Sequence, residues 1–206
     1  MARGARLLVA TTNRNKLGEI RAILSGVDIG LAGLGAFPPV PEPEETGRTF
    51  AENARQKAVY YSTALGVPAV AEDSGLEIDG LGGEPGVESA RYGGQAAPTY
   101  PQKFALVYRG LRERGAMGSP ARFVCSLAVA DGERVVFETR GTIEGRINDE
   151  PAGDGGFGYD PIFFYPPLGR TLAELDEDEK ASVSHRGQAF RQLRDHLASH
   201  PPWLTG

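Results

Sequence analysis

Apolar positions along this chain change period several times, and the changes mark out its elements. Leu7-Leu8-Val9-Ala10 is an unbroken apolar run that reads as a buried strand and is too short for a signal peptide. The polar turn Thr11-Thr12-Asn13-Arg14-Asn15 follows, with Asn15 as a candidate helix cap, and then Leu17, Ile20 and Leu24 share one face at helical spacing. A second strand is expected near residues 27–31, and a proline- and glutamate-rich loop over 38–47. Thr49-Phe50-Ala51-Glu52 sets a hydroxyl and a carboxylate three positions apart, a capping box. The helix it opens turns Phe50, Ala54, Ala58, Tyr61 and Leu65 inward and is stopped by Gly66 and Pro68.

Residues 69–71 predict a short strand that delivers Glu72-Asp73-Ser74-Gly75 into a turn, with 76–78 as a candidate continuation. A glycine-rich loop over 80–94 leads to a helix over 100–114 with Phe104, Val107, Tyr108 and Leu111 on its inner side. Phe123, Cys125, Leu127 and Val129 alternate, Asp131-Gly132 is a hairpin signal, and the return strand runs from about 134 to 143. A last amphipathic helix uses Phe190, Leu193 and Leu197 and ends before Pro201-Pro202. Strands and helices interleave, so the class is α/β, and the hairpin makes the sheet mixed.

Charge narrows the partners. The 206 residues carry 22 basic against 27 acidic side chains, a net charge of -5, which argues against a nucleic-acid partner but not against a single nucleotide. No apolar run approaches a membrane span. One cysteine excludes an internal disulfide, and the three histidines lack zinc spacing. A soluble, cytoplasmic protein is the expectation, with one domain over 1–206, an ordered core of about 6–198 and a tail over 199–206 in which Trp203 either packs on a neighbour or lies loose.

Chemistry concentrates in a few segments. In Asp154-Gly155-Gly156-Phe157-Gly158-Tyr159-Asp160-Pro161 the glycines let backbone approach a ligand and leave Phe157 standing between them. With Ser184-His185-Arg186-Gly187 further on, ring area, amides, a carboxylate, an imidazole and a guanidinium can converge on a flat anionic molecule such as a nucleotide. Lys16, in the first turn of its helix, opposes the helix dipole, a conflict that a phosphate would remove; an ordinary strand–helix turn with a surface lysine is the alternative. The glycines and Lys-Ser/Thr pair of a P-loop are absent.

Glu72-Asp73, emitted from a buried strand, suit a hard cation, whereas Glu44-Glu45 alone reads as a solvated loop. The acids of 174–179 read as a solvated helix face. Ser184 can cap the last helix and place His185 and Arg186 in its first turn, either toward an anion or carbonyl oxygen or as a plain surface helix start. Cys125 reads as an inert core thiol, His196 and His200 as surface residues.

Taken in order, these segments resemble the inosine triphosphate pyrophosphatase family, its bacterial branch in particular. The resemblance rests on Thr11 to Lys16, Glu44-Glu45-Thr46-Gly47, Thr49-Phe50 with Glu52-Asn53-Ala54, Ala71-Glu72-Asp73-Ser74-Gly75-Leu76, Gly82-Gly83-Glu84-Pro85-Gly86, Ser89-Ala90-Arg91-Tyr92, Gly155 to Pro161, and Glu179-Lys180 with Ser184 to Gly187. It implies an elongated mixed sheet flanked by helices, in two lobes with the active-site cleft between them, and a homodimer. It implies hydrolysis of deaminated purine nucleoside triphosphates (ITP, dITP, XTP, dXTP) to monophosphate and pyrophosphate with Mg²⁺.

By the same resemblance, Thr11, Thr12, Asn13, Arg14, Asn15 and Lys16 form the phosphate side. Glu45 and Asp73 hold the metal, with Glu72 as a further candidate, and Asp73 is the proton acceptor. Ser74, Phe157, Gly158, Tyr159, Asp160, Lys180, His185 and Arg186 contact substrate. Thr12 stands where glycine is frequent in the family, and Glu72 where aspartate is. N–H groups of Lys180, Arg186 and nearby backbone would donate to the six-oxo oxygen of the purine and oppose the adenine amino group. Two rivals stay open: a sensor that binds nucleotide without hydrolysis, and a pyrophosphatase for other modified bases, such as methylated pyrimidines.

Overall fold

The structure, a computed structural model, describes residues 6–199, with residues 14 and 15 described by their backbone alone. The expectations for Trp203 and His200 lie outside the described residues. Strand β1 (Arg6–Val9) is the first apolar run, with Leu7, Leu8 and Val9 all buried. Helix α1 (Arg14–Ile23) returns the chain to β2 (Gly30–Gly33), which pairs parallel with β1 and begins three residues later than expected. Helix α2 (Phe50–Leu65) opens on the predicted capping box and closes on Gly66 at φ 63°. It leads to β3 (Ala69–Ile78), which pairs parallel with the other edge of β1, Val9 opposite Val70.

After α3 (Tyr100–Glu113) come β4 (Pro120–Asp131) and β5 (Arg134–Ile147), joined by Gly132-Glu133. Strands β6 (Phe163–Tyr165) and β7 (Arg170–Thr171) add antiparallel partners, and α4 (Glu177–Val183) and α5 (His185–Ser199) follow. The sheet order is β2-β1-β3-β4-β5-β6-β7, so the predicted mixed α/β class holds.

Two expectations are corrected. The turn at Glu72-Asp73-Ser74-Gly75 does not exist, because β3 runs through it unbroken to Ile78. Gly75 is there for close approach: a Cβ on it would lie 2.3 Å from Ser89 Oγ, the atom that accepts the Leu76 amide hydrogen at 2.9 Å. The return strand β5 extends to Ile147 rather than 143, its last residue buried.

The described chain falls into two compact units, the first of residues 6–73, 125–141 and 186–199, the second of 74–124 and 142–185. In the first unit both faces of the strands are apolar, as strands covered on both sides require. Leu7, Val9, Val70, Cys125, Leu127 and Val129 pack with Ile20 and Leu24 and with Phe190 and Leu193 of α5. On the opposite parity Leu8, Ala69, Ala71 and Ala128 pack with Ala54, Ala58 and Tyr61 of α2. The second unit gathers Leu76, Ile78, Phe123, Ile147 and Phe163 around Phe104, Val107 and Leu111 of α3. None of the described helices is long and apolar enough to cross a membrane.

Candidate active site

Strand β1 has β2 on one edge and β3 on the other, and the helices α1 and α2 cover opposite faces. The connections therefore diverge at the carboxyl end of β1, which in open α/β sheets is where ligands bind. Thr11 to Lys16 occupy that end. Asn13, not Asn15, caps α1: its Oδ1 accepts the Lys16 amide hydrogen at 3.3 Å, and Thr11 Oγ1 accepts that of Asn13 at 3.2 Å. Asn15 already lies in the first turn, two residues past the cap position. Thr12 and Asn13 are exposed and Thr11 half-buried, and the first turn carries no acid that would offset the positive helix end.

Strand β3 overhangs β1, so Glu72 and Asp73 lie just beyond its last pair. Successive strand residues point to opposite faces, and the two acids have separate partners accordingly. Glu72, almost wholly buried, lies 2.7 Å from the Lys16 ammonium and 3.5 Å from Arg186 Nε. Cys125 Sγ donates to it at 3.6 Å. Arg186 also pairs with Glu19 at 2.7 Å. Burial alone would raise the Glu72 pKa, but Lys16 and then Arg186 overcome it and hold the carboxyl well below the usual range. Burial, then the Glu72 charge, pushes the Cys125 thiol up, as an inert core thiol requires.

Asp73 sits on the α2 side. Asn53 Nδ2 donates to Asp73 at 2.9 Å, while Asn53 Oδ1 accepts the Gly47 amide hydrogen at 2.7 Å, so one buried amide ties the 38–47 loop to the strand. Lys57, one turn further along α2, lies 2.7 Å from Glu45 and 3.6 Å from Asp73. Burial raises the Asp73 pKa, and the opposing pull of Lys57 and Asn53 does not cancel the rise. Burial would lower the Lys57 pKa, but Asp73 and Glu45 more than offset it.

Two carboxylates converging on one cation fit Mg²⁺, which takes one or two carboxylates and completes its shell with water and phosphate oxygens. Among the described residues no group of three or more His, Cys, Asp and Glu forms an all-protein cage. Asn53 and Lys57 carry no role in the sequence reading. Their signal was present: they are four apart, hence on one face, in a helix whose start the capping box fixes.

In the second unit Phe157 stands on a braced loop. Asp160 accepts the Phe157 amide hydrogen at 2.7 Å and the Lys180 ammonium at 2.7 Å, and that ammonium lies 4.5 Å from the Phe157 ring centroid. Gly156 is needed here: φ is +68°, and a Cβ would meet Asp160 Oδ2 at 2.2 Å. Tyr159 is buried and its hydroxyl donates to the Ser89 carbonyl at 2.9 Å, so it braces the loop from below. Tyr100, expected only as the first residue of a helix, stands edge-on to Tyr159 with ring centroids 5.3 Å apart and borders Gly158.

His185, buried, stacks on Phe123 at 5.0 Å. Ser74 is half-buried within β3. His185 and Arg186, read as one basic pair, are divided: His185 belongs to the second unit, and Arg186 is held by Glu72 and Glu19 in the first.

Of the acids of 174–179, three serve helix starts and Glu177 and Asp178 are exposed. Glu174 and Glu179 complete capping boxes with Thr171 and Asp176.

The model of the Ham1 family matches residues 7–196. This chain belongs to the Ham1 family. A relative named dITP/XTP pyrophosphatase from Geobacter sulfurreducens is 46% identical over 194 residues, spanning 93% of this chain and 96% of that protein. Another of the same name, from Syntrophobacter fumaroxidans, is 44% identical over 202 residues, 96% of this chain and 84% of the relative. A solved structure of a HAM1 protein from Coxiella burnetii superposes with a TM-score of 0.89 at 40% identity, covering 95% of this chain and all of that one. The α/β arrangement described above is thus that of a Ham1 protein.

Proposed function

We propose that this Ham1 protein hydrolyses dITP, ITP and XTP to the nucleoside monophosphate and pyrophosphate in the presence of Mg²⁺, and so removes deaminated purines from the nucleotide pool. The observation that carries the reading is the convergence of Glu45 and Asp73 on one cationic position at the carboxyl end of the parallel strands. The names of the relatives supply the substrate class.

Glu45 and Asp73 would hold the metal, which when bound neutralises phosphate oxygens and lowers the pKa of its water. Asp73, whose pKa is raised by burial, accepts a proton from the attacking water. Asn53 fixes the Asp73 rotamer. Lys16 and the amides of Thr11 to Asn15 neutralise the phosphates, a reaction type that relies on positioning and charge rather than a covalent nucleophile. Phe157 stacks on the base over the bracing Asp160 and Tyr159. Lys180 and His185, with the backbone of Gly158 and with Ser74, supply polar contacts to base and sugar. Arg186, held by Glu72 and Glu19, is left out of base reading. A homodimer is the expected assembly.

A panel of nucleoside triphosphates, assayed for pyrophosphate against orthophosphate with and without Mg²⁺, tests the reading. Pyrophosphate from ITP, dITP and XTP but not from ATP is expected. Tight binding of ITP without any turnover would replace it with a sensor.

A further inference from the structure

Glu72 is the least comfortable group in the first unit. It is a carboxylate with a side chain 3% exposed, in the middle of a strand, and two cations and a thiol are gathered on it. Gathering them has a cost, since a buried ion pair recovers its desolvation only when geometry and hydrogen bonding are good. The strand also separates it from the metal-side acids. Glu72 shares the parity of Val70 and Cys125 and faces α1 and α5, while Asp73 faces α2 with Asn53, Lys57 and Glu45.

We infer that Glu72 is a positioning residue rather than a metal ligand: its buried carboxylate fixes the Lys16 ammonium at the α1 start for the phosphates, while Arg186 and Cys125 hold Glu72 in place. The inference rests on the reading of Lys16 as a phosphate-binding residue.

Three features of the structure converge on it. Lys16 lies in the first helical turn, where its own helix disfavours a cation, and Glu72 at 2.7 Å supplies the compensating charge from a fixed strand. The lysine side chain is still 22% exposed, so its pairing with a buried acid does not take it wholly out of solvent. Arg186 bridges Glu72 to Glu19, on the turn of α1 that follows Lys16, so strand, first helix and last helix are locked as one charged assembly. A flexible lysine tethered in this way loses less freedom when an anion arrives, which raises affinity through preorganisation.

The test uses inorganic pyrophosphate as the probe, titrated calorimetrically in EDTA, so that neither metal binding nor turnover enters the readout. For Glu72→Gln the pyrophosphate Kd is expected to rise about tenfold, and in a Lys16→Ala background the same change is expected to add nothing, because a residue that acts through Lys16 has no effect without it. Glu72→Asp, one methylene shorter and still charged, keeps the test alive if the glutamine variant does not fold. It should raise Kd by about two- to fivefold and also lose its effect in the Lys16→Ala background.

Kinetics supply the second readout. In Glu72→Gln the KM for ITP should rise more than kcat falls, while the half-saturating Mg²⁺ concentration stays at the wild-type value and that of Glu45→Gln increases. A Mg²⁺ requirement that shifts in Glu72→Gln as it does in Glu45→Gln, pyrophosphate binding unchanged in the folded Glu72 variants, or additive effects of the Lys16 and Glu72 changes would each overturn the inference. Failure of wild type to release pyrophosphate from ITP would instead sink the functional reading, and the calorimetric result is independent of it.

Discussion

Asp73 and Glu72 are chain neighbours with opposite electrostatic fates: one raised by burial, the other held down by two cations. Asp73→Asn keeps the shape and removes the base. Its kcat should drop by roughly 10²–10⁴-fold with ITP binding retained, as read by steady-state kinetics beside calorimetry; near-normal turnover would remove Asp73 from the reaction. Phe157→Ala deletes a stacking platform worth about 1–3 kcal/mol, so the KM for ITP should rise roughly 5- to 150-fold. An unchanged KM would show that the ring does not meet the base. The polar identity of these residues was legible in the sequence, but their company was not. Glu72 and Asp73 looked like a pair because they are adjacent, and the alternation of a strand separates them. His185 and Arg186 looked like a pair for the same reason, and each packs into a different unit.

Helix α2 shows how an element carries function through its ends and one face. Thr49 and Glu52 cap it reciprocally, and Asn53 and Lys57 then fall on the face that meets Asp73. Thr49→Ala should cost about 1 kcal/mol, a Tm loss of roughly 2–4 °C for a chain of this size, with KM nearly unchanged because later turns and packing keep Asn53 in place. A large KM change at constant Tm would mean that the cap positions the site directly. This helix was readable because its start and stop signals are local. Strand β3 was not: Ser74-Gly75 carries the composition of a turn, and the reason for Gly75 is a serine fourteen residues on, which no local pattern reveals. The late start of β2 has the same root, since parallel pairing with β1 fixes it rather than the spaced apolar residues Val27, Ile29 and Leu31.

At the scale of the whole molecule, apolar surface on both parities of β1, β3 and β4 gives the first unit a core on each side of its sheet. Cys125 lies inside one of these cores with a raised pKa. Iodoacetamide at mildly alkaline pH should leave it unlabelled in the native protein and modify it only at denaturant concentrations that melt the far-ultraviolet circular dichroism. Labelling well before that melt, followed by mass spectrometry, would show that this core opens locally.

The chain passes from one unit to the other four times, three of the passages falling within β3, β4 and β5 and the last between His185 and Arg186. The segments of the two units therefore interleave, so that no single continuous stretch of chain makes up the whole of one unit alone, and neither can be excised as one uninterrupted piece.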